Sequence, residues 1–280
     1  MIEITKISPG KVNLYLEVKS KRNDEYHNIE SLMTFLDYGD QISVKKSKRF
    51  RLNIEGCFSK LIENRLNLIE VAQLKLEDFY NRELGVEVIL KKNLPIASGM
   101  AGGSSNTATF IKCVKKIYEL KDLNGFDNLL LSLGADVPFC YYGKSGIVTG
   151  IGEKIKFIKE LTEYFILLVN PKIEVSTKEI FQSLNVKKLS TNIKDKKNIK
   201  YCNSIDFLKS RQNDLQKYAI KKNNVIGEIL TFLSLCKGSL LSRMTGSGAT
   251  CYALFENMND IENEKIHAKE NFENCWIKSS

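Results

Sequence analysis

Lys11, Asp136 and two glycine-serine stretches are the parts of this chain whose residue types suit the handling of phosphate and protons. The longer stretch runs from Leu94 through Pro95, Ile96, Ala97, Ser98, Gly99, Met100, Ala101, Gly102, Gly103, Ser104 and Ser105 to Thr109. Phe110, Ile111, Val114, Ile117 and Tyr118 then recur at helical spacing, with Lys112, Lys115 and Lys116 on the other side. Ser104 or Ser105 is the expected N-cap. A glycine loop that feeds a helix start presents unpaired backbone N–H groups at the positive end of a helix dipole. Phosphate is the usual occupant of such a place. The shorter stretch, Ser242 to Thr250, contains Thr245, Gly246, Ser247 and Gly248. Together with these loops, a lone lysine near the N-terminus, Lys11, and an aspartate in the tight Gly134-Ala135-Asp136-Val137-Pro138 context suggest nucleotide phosphates and a proton acceptor. Each also has a plainer reading: a surface lysine, a turn or N-cap aspartate, a hairpin turn.

The elements that must hold these residues can be read in outline. Val12, Leu14, Leu16 and Val18 alternate with Asn13, Tyr15 and Glu17, which predicts a half-buried strand with Lys11 and Asn13 on one face. Residues 21–28 are a polar turn, and an apolar run follows from Ile29 to Leu36. Asp37-Tyr38-Gly39-Asp40 is expected to turn the chain into a further strand, Gln41 to Lys45. Asn67 to Tyr80 reads as a helix, and Val86, Val88 and Leu90 as the strand entering the glycine loop. Gly146 to Lys154 suggests paired short strands, and Phe165 to Val169 a buried one closed by Asn170-Pro171. The stretch 185–205 is Lys- and Asn-rich and reads as a surface insertion. Strands dominate the first third while helices and strands mix later, so the expected class is α+β and not a repeated βαβ sheet.

Composition narrows the function. Hydrophobic residues make up 43% and charged residues 27% of 280, the balance of a soluble globular protein. No apolar run reaches the roughly 18–20 residues of a membrane span, and the N-terminal Met-Ile-Glu-Ile-Thr-Lys is strand-like, so a cytoplasmic location is expected. The net charge of +9 comes mostly from scattered lysines without an arginine-aromatic stripe, which argues against a nucleic-acid partner and suits an anionic substrate. Seven cysteines form no Cys-x-x-Cys pair and have only His27 and His267 as company, so a zinc site is not expected. Gly143-Lys144-Ser145 ends like a Walker A motif, but Pro138 stands where its first glycine belongs. No G-x-G-x-x-G follows a strand.

Pro95-x-x-x-Gly99-Met100-Ala101-Gly102-Gly103-Ser104-Ser105 resembles the phosphate loop of the GHMP kinases (galactose, homoserine, mevalonate and phosphomevalonate kinases). Lys11-Val12-Asn13-Leu14, Tyr26-His27, Leu133 to Pro138 and Thr245 to Gly248 follow the family's order and spacing from Pro9 to about Phe255. They point to the branch that phosphorylates a cytidine-diphosphate-linked methylerythritol in isoprenoid precursor synthesis. The resemblance implies a two-lobed α+β fold with the active site in the cleft between an N-terminal ATP-binding lobe, 1–155, and a C-terminal lobe, 156–280. It implies that residues 95–105, from Pro95 to Ser105, hold ATP, that Asp136 takes the substrate hydroxyl proton, and that Lys11 polarises that hydroxyl and the transferring phosphoryl. Tyr26, His27 and Phe181 would hold cytosine, with Asn13, Thr177, Gly246, Ser247 and Gly248 adding substrate contacts. Mg2+ would be carried largely by ATP, with Ser105 as its protein contact. The expected partners are these two small molecules, with no nucleic acid and no membrane, for a monomer or weak homodimer.

The alternatives within reach of the sequence are another GHMP substrate, homoserine- or mevalonate-like, or a non-catalytic nucleotide-binding relative. Retention of both Lys11 and Asp136 favours catalysis. Ala97, Ser98 and Ala101 stand where family members carry glycine; a methyl group is compatible with negative φ there, and glycine-only conformations would be lost. Glu25 replaces a glycine before Tyr26-His27, which puts the turn holding His27 in question.

Overall fold

The computed structural model describes residues 2–62, 66–159, 161–184 and 204–280. The polar stretch read at 185–205 therefore lies, as far as residue 203, outside the described residues. The chain divides into two compact units, each assembled from three separated stretches.

The first unit comprises Met1–Lys11, Phe35–Ile96 and Ala101–Lys144. It takes the beginning of β1 (Glu3–Lys21), the end of β2 (His27–Lys46), β3 (Arg51–Glu55), α1 (Leu68–Tyr80), β4 (Val86–Lys91), α2 (Gly102–Ile117), α3 (Phe126–Leu133) and α4 (Val137–Tyr142). β4 lies antiparallel to β2, with Val88 opposite Val44, and parallel to β3, with Val88 opposite Leu52. Its alternating Val86, Val88 and Leu90 are fully or almost fully buried and form one core with Ile69, Ala72 and Leu76 of α1 and Phe110, Ile111 and Val114 of α2. Asn67 starts α1 with a capping box: its side chain accepts from Ile69 N at 3.0 Å, while Glu70 accepts from Asn67 N at 3.0 Å.

The expected turn at Asp37 to Asp40 is absent, because β2 runs unbroken from His27 to Lys46. Gly39 is there for closeness. A Cβ on it would lie 2.0 Å from the carbonyl oxygen of Ser8, so the glycine lets two strands approach and does not mark a bend.

The second unit comprises Val12–Thr34, Ala97–Met100 and Ser145–Ser280. In it the first part of β2 pairs with β5 (Gly146–Gly150), which pairs with β6 (Lys154–Phe157). Then come β7 (Phe165–Asn170), α5 (Thr177–Gln182), α6 (Ile205–Lys209), α7 (Gln216–Lys222), α8 (Asn224–Leu235), β8 (Leu241–Met244), β9 (Cys251–Phe255), α9 (Met258–Asn271) and β10 (Trp276–Ser279). The last four strands form an antiparallel sheet in the order β10-β7-β9-β8.

β1 is more enclosed than its alternation suggests: every residue from Gly10 to Val18 is buried. Leu16 and Val18 enter the core of the second unit. On the opposite face, Tyr15 meets the ring edge of Phe207, and Glu17 is ion-paired with Arg211 at 2.8 Å. Polar residues of this strand are thus buried with partners instead of facing water. Among the described residues no helix is long and apolar enough to cross a membrane.

Candidate active site

In the first unit, Lys11 and Asp136 come together. Lys11 is 4% exposed, and its Nζ stands 3.7 Å from Asp136 Oδ2. Asp136 occupies the N-cap position of α4, yet its side chain makes no capping hydrogen bond. Its carboxylate is one-third exposed, so it can reach a ligand while remaining beside the lysine. Phe139 of α4 stacks on Phe35 of β2, with ring centroids 4.9 Å apart and planes 12° from parallel, which anchors the short helix.

The first turn of α2 lies in the same unit. The N-cap is Ala101 and not Ser104 or Ser105, and no side chain caps the helix. Both serines fall inside the helix, where Ser105 N donates to Ala101 O at 2.9 Å. The N–H groups of residues 102–104 precede the first intrahelical bond, which leaves them directed outward at the positive end of the dipole. Gly103 is exposed, and a Cβ added there meets nothing within 4 Å. The Ser105 side chain is buried and accepts from Ser8 Oγ at 3.1 Å.

The loop retains left-handed backbone without glycine. Ala97 has φ 47° and Ala101 φ 52°, so the glycine-like conformation persists despite the methyl groups. Glu25 behaves likewise at φ 66°. The turn it occupies is closed by Arg22 N to Tyr26 O at 2.8 Å and by Tyr26 N to Asp24 Oδ1 at 3.2 Å.

In the second unit, the two glycine stretches dock on one another. Thr250 N donates to Ser98 O at 3.2 Å, and a Cβ on Gly99, whose φ is 76°, would lie 2.2 Å from Thr245 O. A Cβ on Gly246 would in turn lie 2.8 Å from Gly99 O. Gly246 is thus placed against the phosphate-type loop itself. Asn13 N donates to Thr245 Oγ1 at 2.8 Å, and Asn13 Nδ2 to Ser31 Oγ at 2.8 Å, which fixes the amide.

His27 and Phe181 also meet in this unit, with ring centroids 5.3 Å apart and a 34° tilt. Burial, and then the positive charge of Lys21, hold the His27 pKa below its ordinary value, so the imidazole is neutral at pH 7. Thr177 Oγ1 and Ser247 Oγ share a hydrogen bond at 2.7 Å. Tyr26 is 62% exposed.

Sequence reasoning missed Asp40, which is fully buried and bonded to residues on both sides of the loop. No local signal in the sequence marks it, because Asp37-Tyr38-Gly39-Asp40 has the composition of a turn.

A buried lysine beside a part-exposed carboxylate, together with an uncapped, glycine-rich helix start, is equipment suited to phosphoryl transfer. Comparison with known proteins specifies the class. The family descriptions "GHMP kinases N terminal domain" and "GHMP kinases C terminal" match residues 67–144 and 200–274. A relative from Chelativorans sp. (strain BNC1), a 4-diphosphocytidyl-2-C-methyl-D-erythritol kinase, is 38% identical over 253 residues, covering 89% of this chain and 86% of its own length. A kinase of the same name from Clostridioides difficile (strain 630) is 33% identical over 284 residues, covering 98% and 94%. A solved 4-(cytidine 5'-diphospho)-2C-methyl-D-erythritol kinase shares the fold with a TM-score of 0.80 at 22% identity, covering 99% of this chain and 98% of its own. Homoserine kinase from Cytophaga hutchinsonii matches at a TM-score of 0.63 and 15% identity, covering 99% and 93%. The chain belongs to the GHMP kinase family, in the group of 4-diphosphocytidyl-2-C-methyl-D-erythritol kinases.

Proposed function

We propose that this protein transfers the γ-phosphoryl group of ATP to the 2-hydroxyl of 4-diphosphocytidyl-2-C-methyl-D-erythritol, in the non-mevalonate route to isoprenoid precursors. The observation that carries the chemistry is the Lys11–Asp136 pair at 3.7 Å. Asp136 accepts the hydroxyl proton as the new oxygen–phosphorus bond forms and the bond to the ADP oxygen breaks. Lys11 stabilises the developing alkoxide and the negative charge on the moving phosphoryl. Transfer is direct, and positioning with electrostatics does most of the work.

ATP is held along 95–105, from Pro95 to Ser105, its phosphates facing the N–H groups at the start of α2. Among the described residues no three His, Cys, Asp or Glu side chains gather as a metal site. Mg2+ would arrive on the nucleotide's phosphate oxygens, and Ser105, whose buried Oγ accepts from Ser8 Oγ, would be its protein contact. When bound, the ion offsets phosphate charge.

Substrate choice rests on His27, Phe181 and Tyr26. A neutral imidazole has one donor and one acceptor, which can match the N4, N3 and O2 edge of cytosine while the aromatic rings flank the base. Asn13, Thr177 and the 246–248 turn (Gly246, Ser247, Gly248) are the remaining polar contacts for the substrate. The test is ADP formation with a panel of alcohols. Turnover is expected with the cytidine-diphosphate-linked alcohol and not with methylerythritol phosphate, homoserine or mevalonate, since an unpaired hydrogen-bonding site rejects strongly. Equal turnover of an alcohol lacking cytidine would reduce the reading to a GHMP kinase with another substrate.

A further inference from the structure

We propose that Asp40 positions the nucleotide loop, one carboxylate holding the chain both where it enters the loop and where it leaves through α2. The inference rests on the reading of 95–105 as the ATP site. Asp40 is 0% exposed and immediately precedes the part of β2, Gln41 to Lys46, that pairs with β4. Its Oδ1 accepts from Asn93 N at 2.7 Å and Leu94 N at 2.8 Å, the last backbone donors before Pro95. Its Oδ2 accepts from Asn106 Nδ2 at 2.9 Å, the residue after Ser105, and from Lys92 Nζ. All the donors belong to the first unit. The loop between them contains two left-handed alanines, and a segment with such unfavourable backbone keeps its shape only when its surroundings determine it.

Two further observations fit a tether and not ordinary core packing. Among the described residues Asn106 Oδ1 is buried without a hydrogen-bond partner, although such an orphan is unfavourable. The amide is oriented by the carboxylate, not by its own best satisfaction. Gly102, the first residue of α2, sits directly over the pair: a Cβ there would meet Lys92 Nζ at 3.3 Å and Asp40 Oδ2 at 3.6 Å. A bare carboxylate at that place would oppose a phosphate at the helix start, and the Lys92 ammonium neutralises it. Asp40 touches no substrate in this scheme; it acts through the loop.

Steady-state kinetics with Mg-ATP and the cytidine-linked alcohol tests this. Asp40→Ala/Lys92→Met removes the tether without leaving a lone buried charge. It should raise KM for ATP by about tenfold or more, the scale of lost charge-assisted hydrogen bonds, with KM for the alcohol within about twofold. Asp40→Asn/Lys92→Met keeps an acceptor for the two N–H groups and offers a donor to the orphaned Asn106 Oδ1, so KM for ATP should return to within about threefold of wild type. Asn106→Leu cuts only the exit contact and should raise KM for ATP by about threefold or more. It decides the matter alone if the alanine variant does not fold. Lower melting temperatures with unchanged KM for ATP in these variants would overturn the inference. Gly103→Val, at an open position, is the separate check on the ATP site. An unchanged KM for ATP there defeats the site and the inference together. A raised value there, with unchanged values in the tether variants, defeats the role of Asp40 alone.

Discussion

Replacing Glu25 by glycine should stabilise this protein, although glycine usually does the reverse. Glu25 is exposed and stands at φ 66°, in the left-handed region that an L side chain enters at roughly 1–2 kcal/mol. Glycine removes that strain but adds freedom to the unfolded chain worth about 0.4–1 kcal/mol. The difference is a net gain of about 1 kcal/mol. For a chain of this size that corresponds to a rise in Tm of roughly 2–4 °C, readable by scanning calorimetry. The control is Glu25→Ala, which discards the carboxylate but keeps Cβ and therefore the strain. It should leave Tm within about 1 °C of wild type. An equal rise in Glu25→Ala and Glu25→Gly would place the effect in the side-chain charge and refute the backbone argument. No change in either would refute the left-handed turn at this position.

Gly99→Ala should act in the opposite direction, because its Cβ would lie 2.2 Å from Thr245 O at φ 76°; a loss of about 2–5 kcal/mol is expected in denaturant unfolding. His27→Ala should raise KM for the cytidine-linked alcohol and leave KM for ATP almost unchanged, as initial-rate measurements would show. The depressed His27 pKa also gives a signed pH effect: its stabilising contribution is full above the unfolded-state value of about 6.5 and is lost as pH falls through the lower folded value. Melting curves of wild type should therefore decline below pH 6.5 relative to His27→Phe, which keeps a ring against Phe181 and does not titrate.

Periodicity exposed α1, α2 and β4, since each carries one clean apolar face that the core accepts as it stands. It failed where contacts distant in sequence decide the outcome. Asp37-Tyr38-Gly39-Asp40 has the composition of a turn, yet Gly39 serves the close passage of Ser8 and Asp40 is buried under four donors. Ser104 and Ser105 have the chemistry of caps, but a left-handed Ala101 starts the helix one turn earlier. That shift is what leaves the first N–H groups without a side-chain cap. Lys11 and Asp136 were legible only as members of an ordered set of motifs, and their 3.7 Å separation is a product of packing that no local pattern encodes. The contact of His27 with Phe181 is likewise invisible to spacing, because a strand start and a short helix far along the chain must meet to make it.

The most direct test of the proposed chemistry is kcat of Asp136→Asn with saturating Mg-ATP and cytidine-linked alcohol, alongside equilibrium binding of both. Asparagine keeps the size of the side chain, and α4 takes no capping bond from it, so folding and both affinities should survive. The account predicts kcat lower by roughly 10²–10⁴-fold, the range for loss of a general base. Turnover near that of wild type, with both substrates bound, would contradict it.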